Sequence, residues 1–321
     1  MTEPALAAAV DLGGTKIYSV IATEQGEVLG DDLRPTLAQE GPDAVVDRIV
    51  ASVREAAQRS GVEWERVRGI GISSPGPVNP GEGIVTDAPN LPGFHDFPIA
   101  RLLSEALGKP ALLENDANAA AYGELRFGAG RGFRHIVYVT LGTGIGGGLI
   151  IDGRIYEGAS GAAGEVGHLI VDPDGAECNC GNRGCVEALA SGRAIEREAA
   201  EAVAAGRSEA LARAAAGGKL TGEAVHAAAM AGDAAAREII ARAGYYLGLG
   251  LAGLLNCFNP EALILGGGLV AMGELYLGPA VETAKAGAFP QIVADVTITE
   301  AALGRQAGAL GAAALVVEHN R

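Results

Sequence analysis

Three cysteines fall within eight positions, as Cys178-x-Cys180-x4-Cys185, and His168 stands ten residues ahead of the first. Three thiolates and an imidazole form a closed ligand set for zinc, which takes sulfur and nitrogen donors in a tetrahedron. A cluster this tight suits a metal better than disulfides. Gly181 and Gly184 let such a loop wrap closely around an ion. With all four positions filled by protein, a zinc there is structural. Incidental or buried cysteines are the other reading. Glu165 and Glu187 bracket the loop, three residues before His168 and two after Cys185. A metal that fixes the loop fixes both carboxylates as acceptors for a polyol. Solvated surface acids would give the same pattern. Cys257, within an apolar helical stretch, reads as core.

Glycine-rich turns supply a second kind of chemistry. DLGGTK (11–16) places two glycines between strand-like segments, with Thr15 and Lys16 just beyond. Consecutive N–H groups in such a turn form an anion nest, to which Lys16 adds a cation. Asp11 would repel a bare phosphate but suits Mg2+ or its waters. The pattern is not a P-loop, and an ordinary glycine hairpin shares it. GTGIGGG (142–148) fits the dinucleotide fingerprint GxGxxG, but that fingerprint needs a helix after the glycines. LIIDGRIYEG comes next instead and reads as a hairpin, so a second phosphate loop is the better account. At Asn115-Asp116 an Ala-rich helix begins. Asp116 is there either a first-turn or capping acid or a general base taking a hydroxyl proton during phosphoryl transfer. Positioning dominates such transfers, so an ordinary carboxylate suffices.

The elements that must hold these residues interleave strands with helices, which makes the class α/β. Ala7–Val10 and Ile136–Leu141 each enter a glycine turn and leave it as another strand, about 130 residues apart. The two hairpins look like one unit used twice. A third apolar strand, Ala262–Leu265, runs into Gly266, Gly267 and Gly268. Apolar residues recur at helical spacing from Asp43 to Arg59, and Pro98 to Leu107 ends at a Gly108 stop. Val186–Ala205 and Asp233–Phe258 read as long helices, Val293–Ile298 as a strand and Gln306–Glu318 as a closing helix.

Composition bounds what such a chain can be. Its 321 residues, about half hydrophobic, predict two domains, each with its own core. The formal charge of −15 argues against a general nucleic-acid or anionic-membrane surface. No basic-then-apolar leader opens the chain, and Tyr245–Phe258 is too short and glycine-rich to span a bilayer. A soluble cytoplasmic protein is the expectation.

Together these segments resemble the ROK family of sugar kinases and repressors, within the actin/hexokinase-type ATPases. The resemblance runs over nearly the whole chain, through DLGGTK (11–16), SSPGPV (73–78), PNLPGF (89–94), ENDANAAAYGE (114–124), LGTGIGGG (141–148), GEVGHL (164–169), CNCGNRGCVEALASG (178–192) and LGGG (265–268). Their order and spacing carry it, and no expected residue of these motifs is missing. It implies a duplicated, ribonuclease H-like fold in two lobes that close over a sugar. The first lobe would comprise 1–117 with 304–321, and the second 118–303. By the same resemblance Asp116 would be the base, while Gly76, Asn90, Asn115, Glu165, His168 and Glu187 would line the sugar site. His168 would serve twice, one ring nitrogen on zinc and the other toward the sugar. Gly13, Gly14, Thr15 and Lys16, with Gly142, Thr143 and Gly144, would hold the phosphates of ATP. Asp11 would organise Mg2+, Gly266–Gly268 would pass beside the adenosine, and a homodimer or homotetramer would be the assembly.

The implied activity is ATP-dependent phosphorylation of the glucose 6-hydroxyl. Mannose, N-acetylmannosamine, fructose and allose are the alternative acceptors, and polyphosphate the alternative donor. A sugar-responsive repressor would need a DNA-reading module before the first loop, and Asp11 is the eleventh residue. A non-catalytic sugar-binding module gives no reason for Lys16, Asp116 and two phosphate loops to occur together.

Overall fold

The computed structural model describes residues 3–218 and 220–319. The outermost two residues at each end of the expected first lobe lie outside that range. In chain order the first elements are β1 (Leu6–Leu12), β2 (Lys16–Thr23), β3 (Val28–Pro35), α1 (Pro42–Ser60), β4 (Val67–Ser74), β5 (Val78–Asn79), β6 (Ile84–Asp87), β7 (His95–Phe97), α2 (Ile99–Leu107), β8 (Ala111–Asn115) and α3 (Asp116–Phe127). Next come β9 (Ile136–Leu141), β10 (Ile145–Ile151), β11 (Arg154–Ile155), α4 (Val186–Ala190), α5 (Gly192–Ala204), α6 (Glu209–Ala216), α7 (Gly222–Met230), α8 (Ala234–Phe258), β12 (Ala262–Gly266), α9 (Glu274–Gly287), α10 (Pro290–Asp295), β13 (Thr297–Glu300) and α11 (Ala307–His319). Among the described residues no helix is long and apolar enough to cross a membrane.

Two compact units divide the chain. One runs through Ile136 and includes Gly148–Gly164 and the segment from Ala301; the other comprises Val137–Gly147 and Glu165–Glu300. The first unit carries a sheet of order β3-β2-β1-β4-β8 and a small sheet β5-β6-β7. β1 pairs antiparallel with β2, and parallel with β4, which pairs parallel with β8. Its central strand is buried on both faces, as expected of a sheet covered on both sides. Ala8, Val10 and Leu12 pack with Ile49 and Val53 of α1 and Leu103 of α2. Ala7 and Ala9 face the other way, against Leu310, Ala313 and Val317 of α11. Small residues allow α11 to approach so closely: a side chain on Gly71 would collide with the Ala312 carbonyl, and one on Gly311 with that of Ala119. Helix α3 packs against α11 within the first unit.

The second sheet has the order β11-β10-β9-β12-β13. Both glycine turns lead into strands, β2 and β10, so the dinucleotide fingerprint fails on structure as it does on sequence. The turn at Asp152 (φ 54°) and Gly153 (φ +75°) links β10 to β11 in the primed-hairpin manner.

Three readings need correction. The stretch 186–205 is two helices, because the Ser191 hydroxyl accepts from Ala194 N–H and starts α5 afresh. The segment read as a strand over 293–298 begins as helix α10, with Pro290 in its first turn, and becomes strand only at Thr297. Cys257 is exposed rather than core, since it lies in the last turn of α8 on the solvent side.

Candidate active site

In the first unit the carboxyl ends of three parallel strands lie side by side. Register sets Asp11 opposite Ser73, Ser73 opposite Glu114 and Ser74 opposite Asn115. In α/β sheets this edge is where ligands bind. The Asp11 carboxylate accepts from the Ser73 hydroxyl at 2.6 Å, and Gly308 at the start of α11 leaves no room for a side chain beside it. Burial pushes the Asp11 carboxyl above the usual carboxylate range, against the lowering pull of Ser73. A desolvated oxygen donor beside a glycine turn is the donor type that suits Mg2+.

The turn after β1 closes through Gly13 N–H donating to the Lys16 carbonyl at 2.9 Å. Thr36 braces it twice: its hydroxyl donates to the Gly13 carbonyl (2.6 Å) and its N–H to the Thr15 carbonyl (2.9 Å). Among the described residues the N–H groups of Gly14 and Thr15 have no protein acceptor, which is the form of an anion nest. Gly14 is set against Asn90 of the exposed turn after β6, and Lys16 is exposed at the start of β2.

Asn115, not Asp116, caps α3. Its Oδ1 accepts from Ala117 N–H (2.9 Å) and Asn118 N–H (3.2 Å), leaving its amide nitrogen toward Gly76, where a Cβ would lie 3.3 Å away. Asp116 is thus the first helical residue, one carboxylate oxygen accepting from Ala117 N–H at 2.8 Å. Below them Glu114, buried, accepts from Asn115 N–H (2.8 Å) and from the Asn118 side chain (3.0 Å).

In the second unit His168, Cys178, Cys180 and Cys185 present ligand atoms that all lie within 4.8 Å of one another. Cys178 Sγ is 3.5 Å from His168 Nδ1, and Cys180 Sγ is 3.6 Å from Cys185 Sγ. Zinc–sulfur bonds of about 2.3 Å in a tetrahedron put ligand atoms roughly 3.8 Å apart, so the donor set fits zinc. The thiols are free rather than disulfide-bonded. The Asn182 N–H lowers the Cys180 thiol to about 7, whereas burial pushes Cys185 up to about 12. The loop closes through Cys178 N–H to the Asn182 carbonyl (2.8 Å) and Val171 N–H to that of Gly184 (2.9 Å). Gly184 (φ +67°) sits on the Asp172 carbonyl, where no side chain fits. With Nδ1 turned to the sulfurs, His168 Nε2 faces the exposed Glu165, whose carboxylate is 3.9 Å away.

The turn after β9 is held differently from its counterpart. Gly142 N–H donates to the Gly144 carbonyl (2.9 Å), while the carbonyls of Gly142 and Thr143 accept from Gly192 N–H (2.9 Å) and Arg193 N–H (3.3 Å). Thr143 and Gly144 N–H groups have no protein acceptor among the described residues. Glu187 on α4 accepts from Ile145 N–H at 2.9 Å. Gly267 (φ +89°), in the turn between β12 and a 3-10 helix over Gly268–Met272, is seated on the backbone of Leu141. This unit therefore brings Gly142–Gly144, Glu187 and Gly266–Gly268 together.

Sequence reasoning missed Ser73, Thr36 and Glu114 as supporting residues. Ser73 and Glu114 lie within quoted motifs, SSPGPV and ENDANAAAYGE; nothing in the sequence marks Thr36.

The ROK family matches residues 7–319. A glucokinase of Thermotoga maritima is 40% identical over 316 residues, covering 96% of either chain. The crystal structure of a ROK family glucokinase from Streptomyces griseus, in complex with glucose and AMPPNP, superposes with a TM-score of 0.83 at 36% identity, covering 98% of this chain and 99% of that one. A ROK hexokinase from Thermus thermophilus gives the same TM-score at 37% identity and the same coverage.

Proposed function

The chain belongs to the ROK family, and on that premise we propose that it transfers the γ-phosphoryl group of ATP to the 6-hydroxyl of glucose. One observation carries the reading. A glycine turn with unpaired N–H groups, the half-buried acid Asp11 and an Asn-Asp helix start meet at the carboxyl ends of β1, β4 and β8, in a chain similar along its length to glucokinases.

Asp116 is assigned as general base: it takes the hydroxyl proton as the oxygen attacks phosphorus, and the phosphoryl group leaves ADP. Because Asn115 does the capping, the Asp116 carboxylate is not the group on which the helix start depends. Asn90, Asn115, Glu165, His168 and Glu187 are assigned to the remaining sugar hydroxyls, with Gly76 leaving space beside Asn115. The nests at Gly13–Lys16 and Gly142–Gly144 are assigned to the ATP phosphates, with Thr15 and Thr143 as side-chain donors and Gly266–Gly268 beside the adenosine.

Asp11 would hold Mg2+, which when bound neutralises phosphate charge. His168, Cys178, Cys180 and Cys185 would hold zinc, which supplies a crosslink and no open coordination site for substrate. Thiols left free for a metal fit a reducing cytoplasm. A homodimer or homotetramer belongs to the reading through family resemblance alone.

The test is ADP release with Mg-ATP against a panel of hexoses, N-acetylhexosamines and polyols at equal concentration. A selective rate with glucose is expected. A selective rate with another sugar keeps the kinase and moves the acceptor; release only with polyphosphate in place of ATP moves the donor. Silence from folded, zinc-loaded protein would sink the enzyme reading in favour of a sugar-binding regulator.

A further inference from the structure

Glu187, assigned above to a sugar hydroxyl, also holds the second glycine turn. Its Oε2 accepts from Ile145 N–H, the first residue after the second glycine turn, at 2.9 Å. Gly144 lies against the same carboxylate so closely that any side chain there would collide with it. The backbone around Glu187 is fixed in turn by the metal-ligand loop. Cys185 precedes α4 as its capping residue, and Val186 N–H donates to the carbonyl of Leu169, the neighbour of His168, at 2.9 Å. Two metal ligands thus flank the hydrogen bond that positions Glu187. Beyond α4, Gly192 and Arg193 N–H groups hold the carbonyls of Gly142 and Thr143. The turn is therefore grasped from α4 and α5 on both of its sides, while the N–H groups of Thr143 and Gly144 stay open.

We propose that Glu187 is the positioning residue of the second phosphate loop, and that the zinc loop holds the nucleotide site in shape through it. One carboxylate oxygen serves the loop, and the other is left for a sugar hydroxyl. Sugar and nucleotide would then be read by one side chain, and losing the metal would weaken nucleotide binding although no metal ligand touches the nucleotide. The proposal rests on the reading of 142–144 as a phosphate loop.

The two oxygens can be separated by substitution. Glu187→Gln keeps an oxygen for Ile145 N–H and changes the group offered to the sugar; Glu187→Ala removes both. Calorimetry would give the affinity of the full-length protein for Mg-AMPPNP without sugar, and for glucose without nucleotide. Wild type, both variants and zinc-stripped wild type would be compared. Expected for Glu187→Gln is AMPPNP affinity within about twofold of wild type with weakened glucose binding. Expected for Glu187→Ala and for stripped protein is a loss of AMPPNP affinity of roughly tenfold or more, on the scale of one charge-assisted hydrogen bond, restored in the stripped protein by zinc. AMPPNP affinity unchanged in Glu187→Ala overturns the proposal. If that variant does not fold, unchanged AMPPNP affinity in folded zinc-stripped protein overturns it equally. Wild type that binds no AMPPNP sinks the phosphate-loop reading itself, which distinguishes that failure from failure of the Glu187 assignment alone.

Discussion

Gly14 stands against Asn90 so closely that a Cβ on Gly14 would lie 3.0 Å from both the Cβ and the carbonyl oxygen of Asn90. The second glycine turn repeats the relationship, with Gly144 against the Glu187 carboxylate. In each unit the duplicated hairpin therefore backs its turn onto a residue assigned to the sugar. Gly14 does not need the left-handed backbone region, so alanine is conformationally allowed there and only the close approach resists it. Gly14→Ala is expected to displace the Asn90 turn by a few tenths of an ångström. The KM for glucose should rise several-fold together with that for ATP, and thermal stability should be little changed. A raised ATP requirement with an unaltered glucose requirement would show that the Asn90 turn yields freely and that the contact has no part in binding.

Asp116→Asn separates chemistry from architecture. The cap on α3 belongs to Asn115, so the helix start survives the substitution. Turnover is expected to fall by roughly 10²–10⁴-fold, the usual worth of a general base, with glucose affinity kept within a few-fold. Asn115→Ala should instead cost about 1 kcal/mol of stability through the lost cap and weaken glucose binding, since the same side chain caps α3 and is assigned to the sugar. Paired kinetics and thermal unfolding check both. Near-normal turnover in Asp116→Asn would remove Asp116 as the base.

Cys180→Ala leaves three of the four ligands. Zinc content by atomic absorption is expected to drop from one per chain toward zero, with glucose affinity weakened, because His168, Glu165 and Glu187 all flank the loop the metal holds. Loading should release protons, since thiols that are protonated in the apo state must ionise to bind: burial holds Cys185 protonated up to about 12. Apparent zinc affinity in wild type should therefore fall as pH is lowered. Full zinc retention and unchanged glucose binding in Cys180→Ala would overturn the structural-zinc account.

The candidate metal cluster was legible because its chemistry is written in residue type and local spacing, all within eighteen positions, and the structure brings the same four side chains within 4.8 Å of one another. The two hairpins were legible for a similar reason: alternating apolar residues on either side of a glycine turn are compatible with little besides a second strand. What spacing could not give was any bond that crosses the chain. Glu187 meets Ile145 across 42 residues, and Ser73 meets Asp11 across 62. Local pattern also misled where two signals competed. Val293, Val296 and Ile298 are β-branched and suggest a strand, while Pro290, which favours a helix start, decides the first half of that segment. Cys257 belongs to a helix whose other residues are mostly core, but periodicity cannot say that its last turn projects past the core.

Glu114 gives a pH-dependent prediction. Burial raises its carboxyl above the ordinary glutamate range, opposed by the hydrogen bonds from Asn118 and Asn115, and the charge of Glu157 adds to the rise. For an acid whose folded pKa lies above its unfolded value, the folded state binds more protons between the two. Stability therefore falls as pH rises through that window, and the cost is fully present above the folded pKa and absent below the unfolded one. Glutamine at this position keeps an oxygen to accept from Asn115 N–H and the Asn118 amide, the two bonds now made to Oε1, while removing the charge. Glu114→Gln is thus expected to be more stable than wild type at neutral pH, with the two unfolding curves converging as pH is lowered below the ordinary glutamate pKa. Denaturant unfolding at a series of pH values reads this directly. A variant less stable at every pH would mean that the Glu114 carboxylate is held by its partners strongly enough to outweigh its burial.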